Sequence, residues 1–234
     1  MRLLVMETKI FYLVALFFLS LAVPSYSEQL EVGASCIDVN PKVFPIQLRS
    51  GKSNYVHDPL HVRAVAFQRG EGRAVICLID AIGIGRDMSD LAKARAAEKT
   101  GWKPEEMLIC ATHTHTAPKG GEGTPGKEAY EKLKHEKLEE AIVKAIQSLQ
   151  PARVGFGSDE EPSEVRNRRW FLKEGTMPPN PLGEEDQVKT NANRNHLVKP
   201  AGPTDPELCV IDVRTNRNKP LALIANYALH YVGG

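Results

Sequence analysis

The sequence has no CxxC cysteine pair, no internal repeat and, after residue 27, no long uncharged apolar run. The absence of repeats excludes a solenoid, and the absence of a second apolar run of about 20 residues predicts no transmembrane segment in the mature chain. The four cysteines (Cys36, Cys77, Cys110 and Cys209) each lie in or near an apolar segment, which favours buried free thiols over a zinc knot. With 42% hydrophobic and 25% charged residues, the composition is that of a globular protein.

The first 27 residues have the layout of a secretory signal peptide. Arg2 and Lys9 supply a basic region, residues 10–23 form an apolar run of 14 residues, and residues 24–27 (PSYS) offer the small side chains that signal peptidase reads. We therefore predict cleavage after Ser27 and a secreted or periplasmic mature protein. Export permits disulfides, so the oxidation state of the cysteines stays open.

The mature chain carries no net charge. Removal of residues 1–27 leaves 28 basic and 28 acidic residues of the original 30 and 29. This balance gives no reason to expect nucleic acid or an anionic membrane surface as the main partner. The expected partner is a small-molecule or lipid substrate, and the oligomeric state stays open.

Strand and helix patterns alternate along the mature chain. Strands are predicted at 30–39, 61–67, 74–79, 107–110, 152–157, 208–213 and 221–229, and helices at 89–100 and 130–149. The alternation is typical of an α/β protein with a mixed β-sheet and flanking helices. The alternating run 61–67 predicts a strand with one wet face, and the continuous run 74–79 a central strand covered on both faces. Residues 173–206 have no periodicity, as in a functional or disordered loop.

The strongest chemical signal is the segment ATHTHTAP at 111–118, directly after the apolar strand 107–110. His113 and His115 are two residues apart, so an extended backbone places both imidazoles on one face. Two neutral imidazoles at a strand end can ligate zinc, or divide their work between a metal and a substrate. The motif by itself leaves the enzyme class open, because amidohydrolase barrels also begin with His-x-His at a strand end.

Three other features are candidates for the same site. His230 follows the apolar strand 221–229, and two strand-end histidine sites converge if their strands neighbour each other in one sheet. The alternative is a histidine packed beside Tyr231. The cluster RNRRW at 166–170 is either a solvated face or a clamp for a carboxylate, carbonyl or oxyanion. Asp80 is either a catalytic carboxylate or a strand-end cap.

Taken together, five segments resemble the neutral/alkaline non-lysosomal ceramidase family, in particular the exported bacterial proteins grouped with it. They are residues 33–41, 111–118, 167–169, 202–208 and 225–230, in family order over nearly the whole mature chain. The His-Thr-His segment and the strand ending in His230 are the specific ones. The resemblance implies a zinc-dependent amidase that cleaves the N-acyl bond of ceramide.

By motif position, the resemblance implies that His113 is the first zinc ligand and His230 the second. It also implies that His115 contacts the substrate, helping to polarise the amide or to handle a proton, and that Arg168 is the active-site arginine. In the family, a glutamate and a tyrosine ligand and the catalytic serine lie downstream of the second histidine. We therefore expect residues 28–234 to be the N-terminal part of a catalytic domain, with a sheet incomplete at its C-terminus and no amidase activity alone.

Two alternatives to a ceramidase-like amidase stay open. Arg169 stands where ceramidases usually have a small residue, so the first alternative is a metal-dependent hydrolase of a non-lipid substrate on the same scaffold. The second is a non-catalytic exported binding module that kept the fold and lost the downstream machinery.

Overall fold

The computed structural model describes residues 28–48, 51–118 and 126–230. The predicted signal peptide and most of the glycine-rich loop 119–127 lie outside these ranges. Within them, no helix is long and apolar enough to cross a membrane.

The described residues form twelve strands and two helices. The strands are β1 Glu31–Asp38, β2 Ile46–Leu48, β3 Gly51–Ser53, β4 His61–Arg69, β5 Gly72–Ile79, β6 Met107–Ala111, β7 Gln150–Glu160, β8 Arg169–Leu172, β9 Lys189–Thr190, β10 Leu197–Pro200, β11 Glu207–Thr215 and β12 Pro220–Tyr227. The helices are α1 Arg86–Thr100 and α2 Lys127–Gln147, with two short 3-10 turns at Pro104–Glu106 and Arg194–His196. The predicted α/β class is confirmed.

The main sheet has seven strands in the order β12-β11-β7-β1-β4-β5-β6. Only the β5–β6 pair in this sheet is parallel, so the sheet is mixed, as predicted. A three-stranded sheet, β10-β8-β9, and the β2–β3 hairpin are separate from it. Both fall where the sequence shows little periodicity, and their strands are too short to produce a pattern of their own.

The first half of the main sheet (β1, β4, β5 and β6) packs one face against α2. Every second residue of β4 from Val62 to Ala66 is buried there, and the apolar stripe of α2 contributes Leu138 and Ile142. Gly33 lets β1 approach the helix closely, because a Cβ at this position would lie 2.0 Å from the carbonyl oxygen of Ala145. This layer is the principal core.

The second half of the main sheet folds back over the opposite face. β7 pairs with β1 at Gln150 and Pro151, whereas residues 152–160 pair with β11. Val32 of β1 and Phe67 of β4 then pack against Val213 of β11. The β7-β11-β12 part therefore covers part of the first half, and the main sheet is bent into two leaves that we call the inner leaf (β1, β4, β5 and β6) and the outer leaf (β7, β11 and β12).

This bend changes two expectations about burial. β4 has a partly covered second face rather than a wet one, because Val65 and Phe67 pack in the core between the leaves. β5 is not central: it is next to the edge strand β6, on which Leu108 is 57% exposed. Its apolar run therefore reflects one buried face, with only partial cover on the other.

All four cysteines are free thiols, in agreement with the expectation from the sequence. Cys77 is buried in the principal core, whereas Cys36 is exposed. Burial raises the pKa of the Cys77 thiol to about 12, and the neighbouring Cys110 acts in the same direction.

Replacing Gly33 with Ala is expected to destabilise the fold by roughly 3 kcal/mol, because the new methyl group overlaps backbone atoms of α2. Gly157→Ala on β7 is the matched control: no atom lies within 4 Å of the added Cβ, and we expect a change below about 1 kcal/mol. Urea unfolding followed by circular dichroism measures both. Equal midpoints for the two variants would show that α2 does not approach β1 this closely.

The thiols are expected to differ sharply in reactivity at pH 8. A pKa near 12 leaves about one Cys77 side chain in ten thousand as thiolate, so it should react with a disulfide reagent only after unfolding. Cys36 should react at once in the native chain, and a Cys36→Ser variant identifies its contribution. Rapid labelling of Cys77 in the folded protein, located by peptide mapping, is the contrary result.

Candidate metal centre

His113 and His115 lie just beyond the end of β6, in a segment that turns. β6 ends at Ala111, and a hydrogen bond from Thr112 N to Ile79 O (3.0 Å) continues the contact with β5. His113 then adopts φ 60°, a left-handed conformation that is uncommon for a side chain other than glycine. The two imidazoles are therefore neighbours because the backbone turns at His113, not because it stays extended as we expected.

The ring of His113 is oriented by the loop that follows β5. Its Nδ1 lies 2.6 Å from the carbonyl oxygen of Ile82, which can only accept a hydrogen bond. Nδ1 therefore carries the proton, and the lone pair of the neutral ring lies on Nε2. Metal-binding histidines commonly have their second nitrogen held in this way.

His230 reaches the same place from the other end of the main sheet. It follows β12, which is the last strand at one edge, while His113 follows β6 at the other edge. The expectation that their strands neighbour each other is wrong, since the bend at the start of β7 brings the two edges together instead. The hydroxyl of Tyr227 donates to the carbonyl oxygen of Glu161 and ties the end of β12 to the end of β7. The alternative packing partner, Tyr231, lies outside the described residues.

The three imidazoles form a nearly equilateral group. Ring centres are 4.9 Å apart for His113 and His115, and 5.3 Å apart for each of these rings and His230. One nitrogen of each ring lies within 4.8 Å of the others. In the described part of the chain, this is the group of three histidine, cysteine or carboxylate side chains that could hold a metal. Imidazole nitrogens suit zinc, so the donor set fits the predicted cofactor.

A groove of about 790 Å³ lies beside this group. Thr114 and Thr116 line it, and their hydroxyls are 2.9 Å apart, so residues that alternate with the two histidines face the groove. Much of the remaining wall comes from the connection between β1 and β4, with the apolar side chains Pro41, Phe44, Ile46, Leu48, Tyr55, Val56, Pro59 and Leu60. The sequence gave no signal for this wall beyond its place next to the site.

Asp80 lies at the edge of the groove but is engaged in structure. Its carboxylate accepts hydrogen bonds from the backbone N of His61 and from the guanidinium of Arg63, both at 2.9 Å. These bonds favour the strand-end cap over the catalytic carboxylate. Behind it, burial raises the pKa of the Tyr130 phenol, and the charges of Glu131, Asp80 and Asp38 act in the same direction.

Arg168 lies just before β8 and is exposed. Its guanidinium donates to the side-chain oxygen of Asn191 at 3.4 Å, and among the described residues no hydrogen bond joins it to the three histidines. Asn167 instead organises the turn, donating to Pro203 O and accepting from the backbone N of Arg169. The structure thus brings His113, His115 and His230 together, while the role of Arg168 stays a prediction.

No protein-family model and no curated protein sequence matches the chain. Among solved structures, the fold is similar to that of neutral ceramidase from Pseudomonas aeruginosa, with a TM-score of 0.60 and 19% identity. It is also similar to a ceramidase complexed with C2, with a TM-score of 0.55 and 18% identity. Each match covers 85% of this chain and 31% of the other, so the chain spans less than a third of these proteins. The resemblance predicted from the motifs is confirmed as a likeness of fold.

The tautomer of His113 can be tested directly. We expect the neutral ring to carry its proton on Nδ1, because the Ile82 carbonyl accepts from that nitrogen. Long-range ¹H–¹⁵N correlation spectra of the metal-free chain at pH 8 distinguish the two tautomers, and a His113→Ala variant assigns the signal. A ring protonated on Nε2 would contradict the proposed orientation.

Proposed function

We propose that the protein is a zinc-dependent hydrolase of N-acyl, ceramide-like amide bonds. The observation that supports this most is the convergence of three histidines beside a large groove, on a fold similar to that of neutral ceramidase. His113 and His230 are the proposed zinc ligands. When bound, zinc supplies Lewis acidity and lowers the pKa of a bound water, as in other metal-dependent hydrolases.

The protein's own residues have distinct proposed roles at this centre. The Ile82 carbonyl fixes the ring of His113, so that one nitrogen faces the centre before any ligand arrives. His115 handles a proton or polarises the scissile carbonyl, and Arg168 stabilises the oxyanion or the leaving group. Arg168 would have to approach the histidines for this role, since its described partner is Asn191.

The groove favours a substrate with an apolar chain. Its volume is in the range of small-molecule sites, and its wall along residues 41–60 is largely aliphatic and aromatic. An acyl chain lying there would leave the amide at the mouth, near Thr114 and the histidines. The lipid substrate of the proposal follows from this lining.

A second candidate is a hydrolase of a polar, non-lipid N-acyl compound. Lys52, Asn54, His57 and Asp58 also line the groove and could bind polar groups. A non-catalytic binding module has no comparable observation in its favour.

The extent and location of the protein are part of the proposal. Because the chain spans 31% of the ceramidase structures it matches, we propose that residues 28–234 are the N-terminal part of a larger catalytic domain. Residues 1–27 would direct its export and be removed.

The direct test is an assay of amine release from N-acyl substrates of increasing acyl length, with and without a zinc chelator. The full product of the gene should cleave long-chain N-acyl amides only with metal, and the 234-residue chain should be inactive because it carries less than a third of the related catalytic proteins. Cleavage confined to short polar substrates would favour the second candidate. Turnover that survives complete metal removal would defeat the proposal.

A charge placed in the groove should penalise long acyl chains selectively. For Phe44→Asp we expect KM for a long-chain substrate to rise by about tenfold, with little change for an acetyl substrate, because an apolar contact worth about 1.4 kcal/mol is lost. Leu182→Asp is the control, since this side chain is 84% exposed and does not line the groove. Equal effects on both substrates would show that the acyl chain binds elsewhere.

A further inference from the structure

We infer that His115 is a third metal ligand, and that His113, His115 and His230 together hold the metal without any further protein ligand. This deepens the metal site of the proposed function and rests on that function only for the choice of zinc. It changes the role that the family resemblance implies for His115. It also removes the reason to expect weak metal binding by this chain, because catalytic zinc sites generally use three protein ligands.

The spacing of the rings supports a three-histidine site. A zinc–nitrogen bond of about 2.0–2.1 Å places the metal about 3.2 Å from each ring centre, so three imidazoles at tetrahedral angles have centres about 5.2 Å apart. The observed separations are 4.9, 5.3 and 5.3 Å. His115 therefore occupies the same kind of position as the other two histidines, and all three centres fit one tetrahedral metal.

The nitrogens need only a small adjustment. They lie within 4.8 Å of one another, whereas ligands on one tetrahedral zinc are about 3.3–3.4 Å apart. Because the ring centres already have the required spacing, rotation of the rings about their own bonds closes this gap without movement of the backbone. The planes are inclined by 60–88°, so the rings meet edge to face rather than in a stack that would point their nitrogens away.

The ligands also come from two rigid supports. His113 and His115 follow β6 of the inner leaf, and His230 follows β12 of the outer leaf. His115 is half-buried between two exposed histidines, which limits its freedom to turn toward solvent. A metal at the centre of the triangle would leave its fourth position open for water or a substrate oxygen.

The test is metal binding by the 234-residue chain itself, with Zn²⁺ titrated against a competing chelator and Co²⁺ as a spectroscopic probe. We expect one metal per chain and the intense visible absorption of four-coordinate Co²⁺. His113→Ala, His115→Ala and His230→Ala should each lower the affinity by at least about 100-fold, since each removes one of three ligands. His196→Ala, outside the group of three, should bind as the parent does.

An unchanged affinity and Co²⁺ spectrum in His115→Ala, with losses in the other two variants, would overturn the inference. X-ray absorption of the zinc-loaded parent is independent of whether a variant folds: three imidazoles support the inference and two refute it. Amidase assays separate this result from the proposed function. If the full gene product cleaves no N-acyl amide but three imidazoles bind the metal, the function fails and the ligand set stands.

Discussion

The bend at the start of β7 is the constraint on which the rest of the structure depends. Two residues of this strand pair with β1, and the following nine pair with β11. A straight continuation would have carried β11 and β12 away from the inner leaf. Because the chain folds back instead, Val32, Ala152 and Val213 form a second core, and β12 ends next to the end of β6. The metal centre is thus a consequence of long-range packing.

Local signals made much of the fold predictable. The apolar stripe of α2 is visible in Tyr130, Leu138, Ile142 and Ile146, all of which are buried. Gly101 ends α1 in a left-handed conformation, as a glycine after a helical pattern predicts. The start of α1 was harder, since the helix begins at Arg86 after Gly85 without a side-chain cap, three residues before the predicted boundary.

The candidate site was predictable in its residues but not in its geometry. His113, His115 and His230 stand out because each follows an apolar strand. The reason for their convergence was not, since nothing in the ordinary alternation of Ala152, Val154 and Phe156 marks a bend. The Ile82 carbonyl was also beyond prediction, because a backbone acceptor leaves no trace in residue type. The short strands β8 to β10 were missed for a related reason, since two to four residues give no measurable period.

The sequence separation of the three histidines also sets an order of events during folding. His113 and His115 belong to strands that can assemble with α2 from local contacts, whereas His230 becomes available only after β7, β11 and β12 have paired. Non-local pairings of this kind form late, because their loop-closure entropy is offset only when the last strand docks. The centre therefore reports completion: a chain interrupted before β12 would carry two of its histidines and could not close the triangle.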